Sequence, residues 1–248
     1  MKEAEAEFFK YTNPYRKYGD KILLKINHTV RVKELCIDIA KSLNLSKEDI
    51  DLAAMCGLLH DIGRFEQWKK YKTYDDLKSI DHGELGVEIL TKNNFINTFT
   101  KTNHNTILRA VKYHNRYSVP KTLNERNKLF VDITRDADKI DILNLFVTGG
   151  LVTNSENTKM TDKVYNSLLK KELIKIEDVK TKSDQIGVRI GFIFDINYKK
   201  SFEIIKERNL LNDMIDIQIK EASNKDLINQ LNELKDYCNK YIEEMIKC

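Results

Sequence analysis

At 248 residues the chain is long enough to bury one sizeable core without disulfide or metal staples. Its 42 basic and 38 acidic side chains leave a formal net charge of only +4. The signs are interleaved and runs such as Lys69-Lys70 and Lys170-Lys171 are short, which argues against specific nucleic-acid binding and leaves a solvated, lysine-rich surface.

No apolar run approaches the roughly 18 residues that a membrane span needs, and the opening MKEAEAEFFKY has no signal-peptide core. Cys36, Cys56, Cys238 and Cys248 are scattered without a CxxC pair and read as free thiols of a reducing compartment. The expectation is a cytoplasmic protein with no membrane partner. Two prolines, Pro14 and Pro120, and long glycine-free stretches favour an all-α fold.

In chain order, residues 20–43 predict a long helix, with Ile22, Leu23, Ile26, Val30, Leu35, Ile37 and Ile39 supplying an apolar stripe. Ser46 reads as the N-cap of the next helix, with Asp49 at its third position. That helix, 47–62, contains LAAMCGLLHDI; it is apolar on nearly all sides and should be central and buried, with Gly63 as its C-cap. Residues 64–80 are polar and aromatic and predict a long loop with a short helical turn. Helices follow over 81–93, 103–115 and 124–146, with Tyr117 to Pro120 a break and Gly149-Gly150 a boundary. Beyond 151, Thr161 starts one helix, Ser201 another, and 225–246 form a last one. GVRIGFIFDI, 187–196, has strand-like composition but no partner strand, so it is assigned as helix or connector.

Chemistry concentrates in a series. His28 lies in NHTVR, His60 and Asp61 are adjacent in LLHDIGRF, His82 begins HGELG, His114 ends VKYH, and Asp138 lies in RDADKID. Each sits on or at the end of a different predicted helix, and helices packed about one core can project them to one point, as bundles do when they build metal sites. A lone histidine is more often a core or surface residue than a ligand, and His104, with polar neighbours in TKTNHNT, is set aside on that ground. The combination is what carries weight. His60-Asp61 falls in an otherwise apolar helix, where an unpaired carboxylate would be costly and a metal ion would resolve the cost. Asp136 competes with Asp138 but faces another way on a helix, and Asp141 falls on the Asp138 face.

The order His…His-Asp…His…His…Asp, the word HDIG at 60–63 and the A-D-K element at 137–139 resemble the HD-domain phosphohydrolase superfamily over roughly residues 15–146. The resemblance implies an HD-type helical metal-binding core over 15–146, with 147–248 a C-terminal helical extension packed on it. It implies metal ligation by His28, His60, Asp61 and Asp138. His82 and His114 match the extra histidines of two-metal members, which is the preferred reading; in one-metal relatives, histidines in this region touch substrate phosphate instead. HDIG usually continues with lysine; here Arg64 keeps the charge and adds a planar fork for phosphate.

The implied cofactor is one or two divalent transition ions bound by imidazole and carboxylate (Fe, Mn, Zn, Co or Ni, with Mg also allowed). The implied reaction is hydrolysis of a phosphate ester or nucleotide phosphate bond by metal-activated water, with Asp61 as the bridging carboxylate and a catalytic residue. Arg64, Arg116 and Lys139, each beside a ligand motif, are the candidates to bind the small phosphorylated substrate, a nucleotide among the options; Arg64 is also a catalytic candidate. Trp68, Tyr71 and Tyr74 are candidates for a pocket rim. The alternatives are a di-iron oxygenase on the same scaffold and a non-catalytic nucleotide-sensing HD module. Substrate identity and oligomeric state stay open. No P-loop, GxGxxG or GxSxG occurs.

Overall fold

The computed structural model describes residues 2–93, 101–151 and 158–247, and every regular element among them is helical. No described helix is long and apolar enough to cross a membrane. The chain divides into two compact units, Met1–Asp138 and Lys139–Cys248.

The first unit begins with α1 (Lys2–Thr12), a 3-10 segment carrying Pro14, and α2 (Asp20–Ser42). Ile22, Ile26, Leu35 and Ile39 of the expected stripe are fully or almost fully buried, whereas Leu23 is exposed. Asn44 ends the helix in the left-handed region (φ 54°). Ser46 then caps α3 (Lys47–Leu59), its Oγ accepting the Asp49 amide at 3.1 Å. From Leu52 to Leu59 every residue of α3 is buried, so it is the central helix, packed against α2, α6 and α1.

Three expectations need correction here. The central helix does not run to Ile62: it stops at Leu59, the chain turns through His60 and Asp61 (φ −101°, ψ 17°), and α4 (Ile62–Tyr71) starts at once. Gly63 is therefore not a C-cap but lies in the first turn of α4. Its lack of a side chain is required by a backbone crossing, since a Cβ there would lie 2.2 Å from the His82 carbonyl oxygen and 2.9 Å from the Gly86 nitrogen. The first half of the expected 64–80 loop is likewise helical. It failed to show periodicity because its apolar contact is made largely by Phe65 and by polar but fully buried Gln67.

A short 3-10 turn at Asp76–Lys78 leads to α5 (His82–Lys92), capped by Asp81 through the Glu84 amide at 2.9 Å. Then come α6 (Lys101–Tyr113) and α7 (Glu125–Val147). Arg126 ties α7 to α3 through Asp49 at 2.6 Å, and Thr106 of α6 bonds Asn127 at 2.8 Å.

The last turns of α7 open the second unit. It continues through α8 (Asp162–Leu169), α9 (Lys182–Ile190), α10 (Lys199–Glu207), α11 (Leu210–Glu221) and α12 (Lys225–Lys247). Thr161 caps α8, as expected from sequence. The strand-like 187–196 segment is the end of α9 followed by a 3-10 turn, Gly191–Asp195. The interior is a conventional apolar one, with Val164, Leu168, Ile190, Phe202, Leu231 and Leu234 fully buried.

Candidate metal centre

The first unit brings His28, His60, Asp61, His82, His114 and Asp138 to one place. His28 comes from the middle of α2, and His60 and Asp61 from the α3–α4 turn. His82 is the first residue of α5, His114 follows the last residue of α6, and Asp138 lies on α7. All four histidines and Asp61 are buried.

The two oxygens of Asp61 divide the cluster. Oδ2 faces His28 Nε2 and His60 Nε2, both at 3.5 Å; His28 Nε2 is 3.1 Å and His60 Nε2 3.6 Å from Asp138 Oδ1. Oδ1 faces His82 Nε2 at 3.3 Å and His114 Nε2 at 3.6 Å. Within the halves, His60 and His28 bring their Nε2 atoms to 3.3 Å, and His82 and His114 theirs to 2.9 Å. Donors bound to one ion at about 2.0–2.2 Å stand roughly 3–3.5 Å apart, so these spacings are those of ligands around a shared cation.

The histidine tautomers follow from their outer partners. His60 Nδ1 is 2.7 Å from the Gly57 carbonyl and His114 Nδ1 2.8 Å from the Val111 carbonyl. A carbonyl only accepts, so each Nδ1 carries the proton, and in its neutral form each ring turns an Nε2 lone pair to the centre. His82 Nδ1 is 2.6 Å from Asp76 Oδ2, with the same consequence. The 2.9 Å contact between His82 and His114 thus sets two lone pairs face to face. That is unfavourable unless a cation or a proton lies between them.

The titration behaviour points the same way. Burial would raise the carboxyls of Asp61 and Asp138. At Asp61 the Lys25 ammonium and the surrounding histidines overcome it, at Asp138 His28 and His60 do, and both stay well below the usual carboxylate range. Burial opposes protonation of His60, but Asp61 and Asp138 outweigh it and raise its pKa. His114 is pushed down to about 4 by burial against the bond to Asp61, with the charges of His82 and His60 adding to the fall. Two ionised carboxylates in a buried pocket with convergent lone pairs call for positive charge. Among the described residues two groups could hold a metal ion, His28–His60–Asp138 and His60–Asp61–His114.

The expected substrate cations fall elsewhere in varying degree. Arg64 stays beside the centre, its Nε 3.4 Å from Asp61 Oδ1, but its Nη1 is shared among Gln67 Oε1 (2.9 Å), the Tyr74 carbonyl (2.6 Å) and Asp76 Oδ1 (2.8 Å). Arg116 pairs with Asp81 at 3.0 Å and Glu84 at 2.9 Å. Lys139 opens the second unit and pairs there with Asp195 at 2.8 Å. Trp68 stacks on Tyr74, with ring centroids 4.8 Å apart, and Tyr71 is exposed. His104 and His82 both stand outside these two groups, but His82 Nε2 lies 3.3 Å from Asp61 Oδ1 and 2.9 Å from His114 Nε2.

Sequence reasoning missed Lys25, whose Nζ lies 2.6 Å from Asp61 Oδ2. Its position three residues before His28 on a helix was the available sign, since i and i+3 share a face. It also missed Asp76 and Gln67, for which the sequence offers no sign beyond a carboxylate shortly before His82.

Residues 26–143, which include all six clustered side chains, match the family model described as the HD domain, and this part of the chain is an HD domain. Among curated proteins, the chain is similar to a serine hydroxymethyltransferase of Pyrococcus horikoshii, with 33% identity over 79 residues, which is 32% of this chain and 18% of that enzyme. The chain thus spans less than a fifth of that relative's length. No solved structure matches.

Proposed function

We propose that the protein is a metal-dependent phosphohydrolase that cleaves a phosphate ester or nucleotide phosphate bond. The observation that carries the reading is the convergence of imidazole lone pairs and two ionised carboxylates on a buried point inside an HD domain.

The donor set fits divalent ions. His28, His60, Asp138 and Asp61 Oδ2 would hold one, and His82, His114 and Asp61 Oδ1 a second. Imidazole and carboxylate donors without thiolate suit Fe, Mn, Co, Ni or Zn, with Mg also allowed. Bound there, such ions would supply Lewis acidity and a more acidic water. The remaining work falls to the chain. Asp61 holds the two halves at a fixed separation by sharing its carboxylate between them. The Gly57 and Val111 carbonyls keep His60 and His114 in the one tautomer able to ligate. Lys25 and Arg64, the cations that reach Asp61, are placed to neutralise charge on a phosphoryl group brought to the centre. Arg116 and Lys139 would have to leave their carboxylate partners to do so.

Turnover on a panel of phosphomonoesters, phosphodiesters and nucleotides, with Mn, Fe, Co, Ni or Mg supplied, tests the reading. Hydrolysis that disappears in His60→Ala/Asp61→Ala is the expected result. Hydrolysis that persists in that variant would overturn the mechanism, and none from fully loaded wild type would overturn the function. Oxygen consumption by the iron-loaded protein would point instead to an oxygenase.

A further inference from the structure

The histidines differ in how they are held. His60 and His114 each follow directly on a helix and use the carbonyl three residues back, a partner built into the backbone of α3 or α6. His82 is the first residue of α5. Three residues back from it is Ser79, outside any helix (φ −144°, ψ −101°), so no helical carbonyl stands behind its ring. A side chain fills that role: Asp76 Oδ2, at 2.6 Å from Nδ1.

Asp76 is itself braced. Its Oδ1 accepts from Arg64 Nη1 at 2.8 Å and from Gln67 Nε2 at 2.8 Å, and its Oδ2 accepts from Asn115 Nδ2 at 3.2 Å. Gln67 is fully buried and also reaches Ser79 Oγ and the Ile80 carbonyl, both at 2.9 Å, so one amide fixes both ends of the segment that presents Asp76. The turn is closed by Asp75, which accepts the Leu77 amide at 3.0 Å.

We propose that Asp76 is a positioning residue that, braced by Arg64 and Gln67, fixes His82 with its Nε2 toward the Asp61 Oδ1–His114 half of the centre. Loading of that half therefore depends on Asp76, and loading of the His28–His60–Asp138 half does not. The inference rests on the reading that the centre holds divalent ions, and it assigns to Arg64 a part in the protein's own architecture. The physical reason is general. A carboxylate on the outer nitrogen fixes a ligating imidazole's tautomer and raises its basicity, and losing it weakens metal binding by about 10- to 100-fold.

The test is Mn2+ binding by equilibrium dialysis on the full chain, for wild type, Asp76→Asn and Asp76→Ala, with the His82 tautomer read by long-range 15N NMR of the metal-free protein. Wild type should bind two ions. Asp76→Ala should keep one at wild-type affinity, with the other weakened about 10- to 100-fold, and its His82 should lose the pure Nδ1–H form. Asp76→Asn keeps an acceptor for Nδ1–H without the charge, is the milder change should Ala fail to fold, and should fall between wild type and Ala. Two sites of unchanged affinity in either variant, or a wild type that binds a single ion, would overturn this inference alone. A wild type that binds none would overturn the functional reading itself.

Discussion

Each compact unit buries a carboxylate, and the two are held in opposite ways. Asp184 in the second unit accepts the Thr161 and Lys180 amides at 2.8 and 2.9 Å, the Thr181 amide at 3.0 Å and the Thr161 hydroxyl at 3.0 Å. Its donors are neutral groups, mostly backbone, and it completes a capping box with Thr181. Asp61 instead faces the Nε2 atoms of His28, His60, His82 and His114 at 3.3 to 3.6 Å, and its closest donor among the described residues is Lys25 at 2.6 Å. The first arrangement is complete as it stands and contributes to stability. The second gathers ionisable groups that a bound cation would bring into balance, as expected of a site that trades stability for function.

Substitutions can break or sharpen this contrast. The largest effect should come from Gly63→Ala. The added methyl would collide with the His82 carbonyl at the α4–α5 crossing, where neither backbone can give way. A loss of at least about 3 kcal/mol is expected, read as the urea midpoint, together with weakened metal binding because His82 moves. Asp184→Ala should follow, at about 2–3 kcal/mol, by orphaning the amides around two helix starts. Its sign with pH is fixed. The Asp184 carboxyl is held below its ordinary value by these bonds against the effect of burial. Its contribution is therefore complete above the unfolded carboxyl pKa and is lost as pH falls through the folded one. A wild-type to Asp184→Ala gap in thermal midpoint that does not narrow on acidification would contradict this.

Ser46→Ala removes the α3 cap and should cost about 1 kcal/mol in the same unfolding assay. The chemically most important position separates the metal from the fold. Wild type should gain in thermal midpoint when Mn2+ is added, and Asp61→Asn should show no such gain. A gain that survives in Asp61→Asn would place Asp61 with Asp184 as a structural carboxylate.

What was legible in the sequence was either local or a matter of residue order. The Ser46 and Thr161 caps are short-range bonds between a side chain and nearby backbone, and the all-apolar 52–59 stretch could only be a central helix. The His and Asp series was readable because each member sits at a helix, and helices about one core meet. What escaped depends on tertiary approach. A glycine that caps a helix and one that permits a backbone crossing look alike in one dimension, which is how Gly63 was misread. The break at His60-Asp61 was hidden because both residues sit among apolar neighbours that favour continuing the helix. Lys25 and Asp76 acquire their roles only when α2 and the 76–80 segment meet the α3–α4 turn.

The most direct measurement is the metal content of protein purified without chelator and incubated with Mn, Fe, Co, Ni or Zn, set against His60→Ala/Asp61→Ala treated identically. The predicted result is close to two divalent ions per wild-type chain and essentially none in the double variant. A wild type that holds none, or a double variant that holds as many, would contradict the assignment of this cluster as a metal centre.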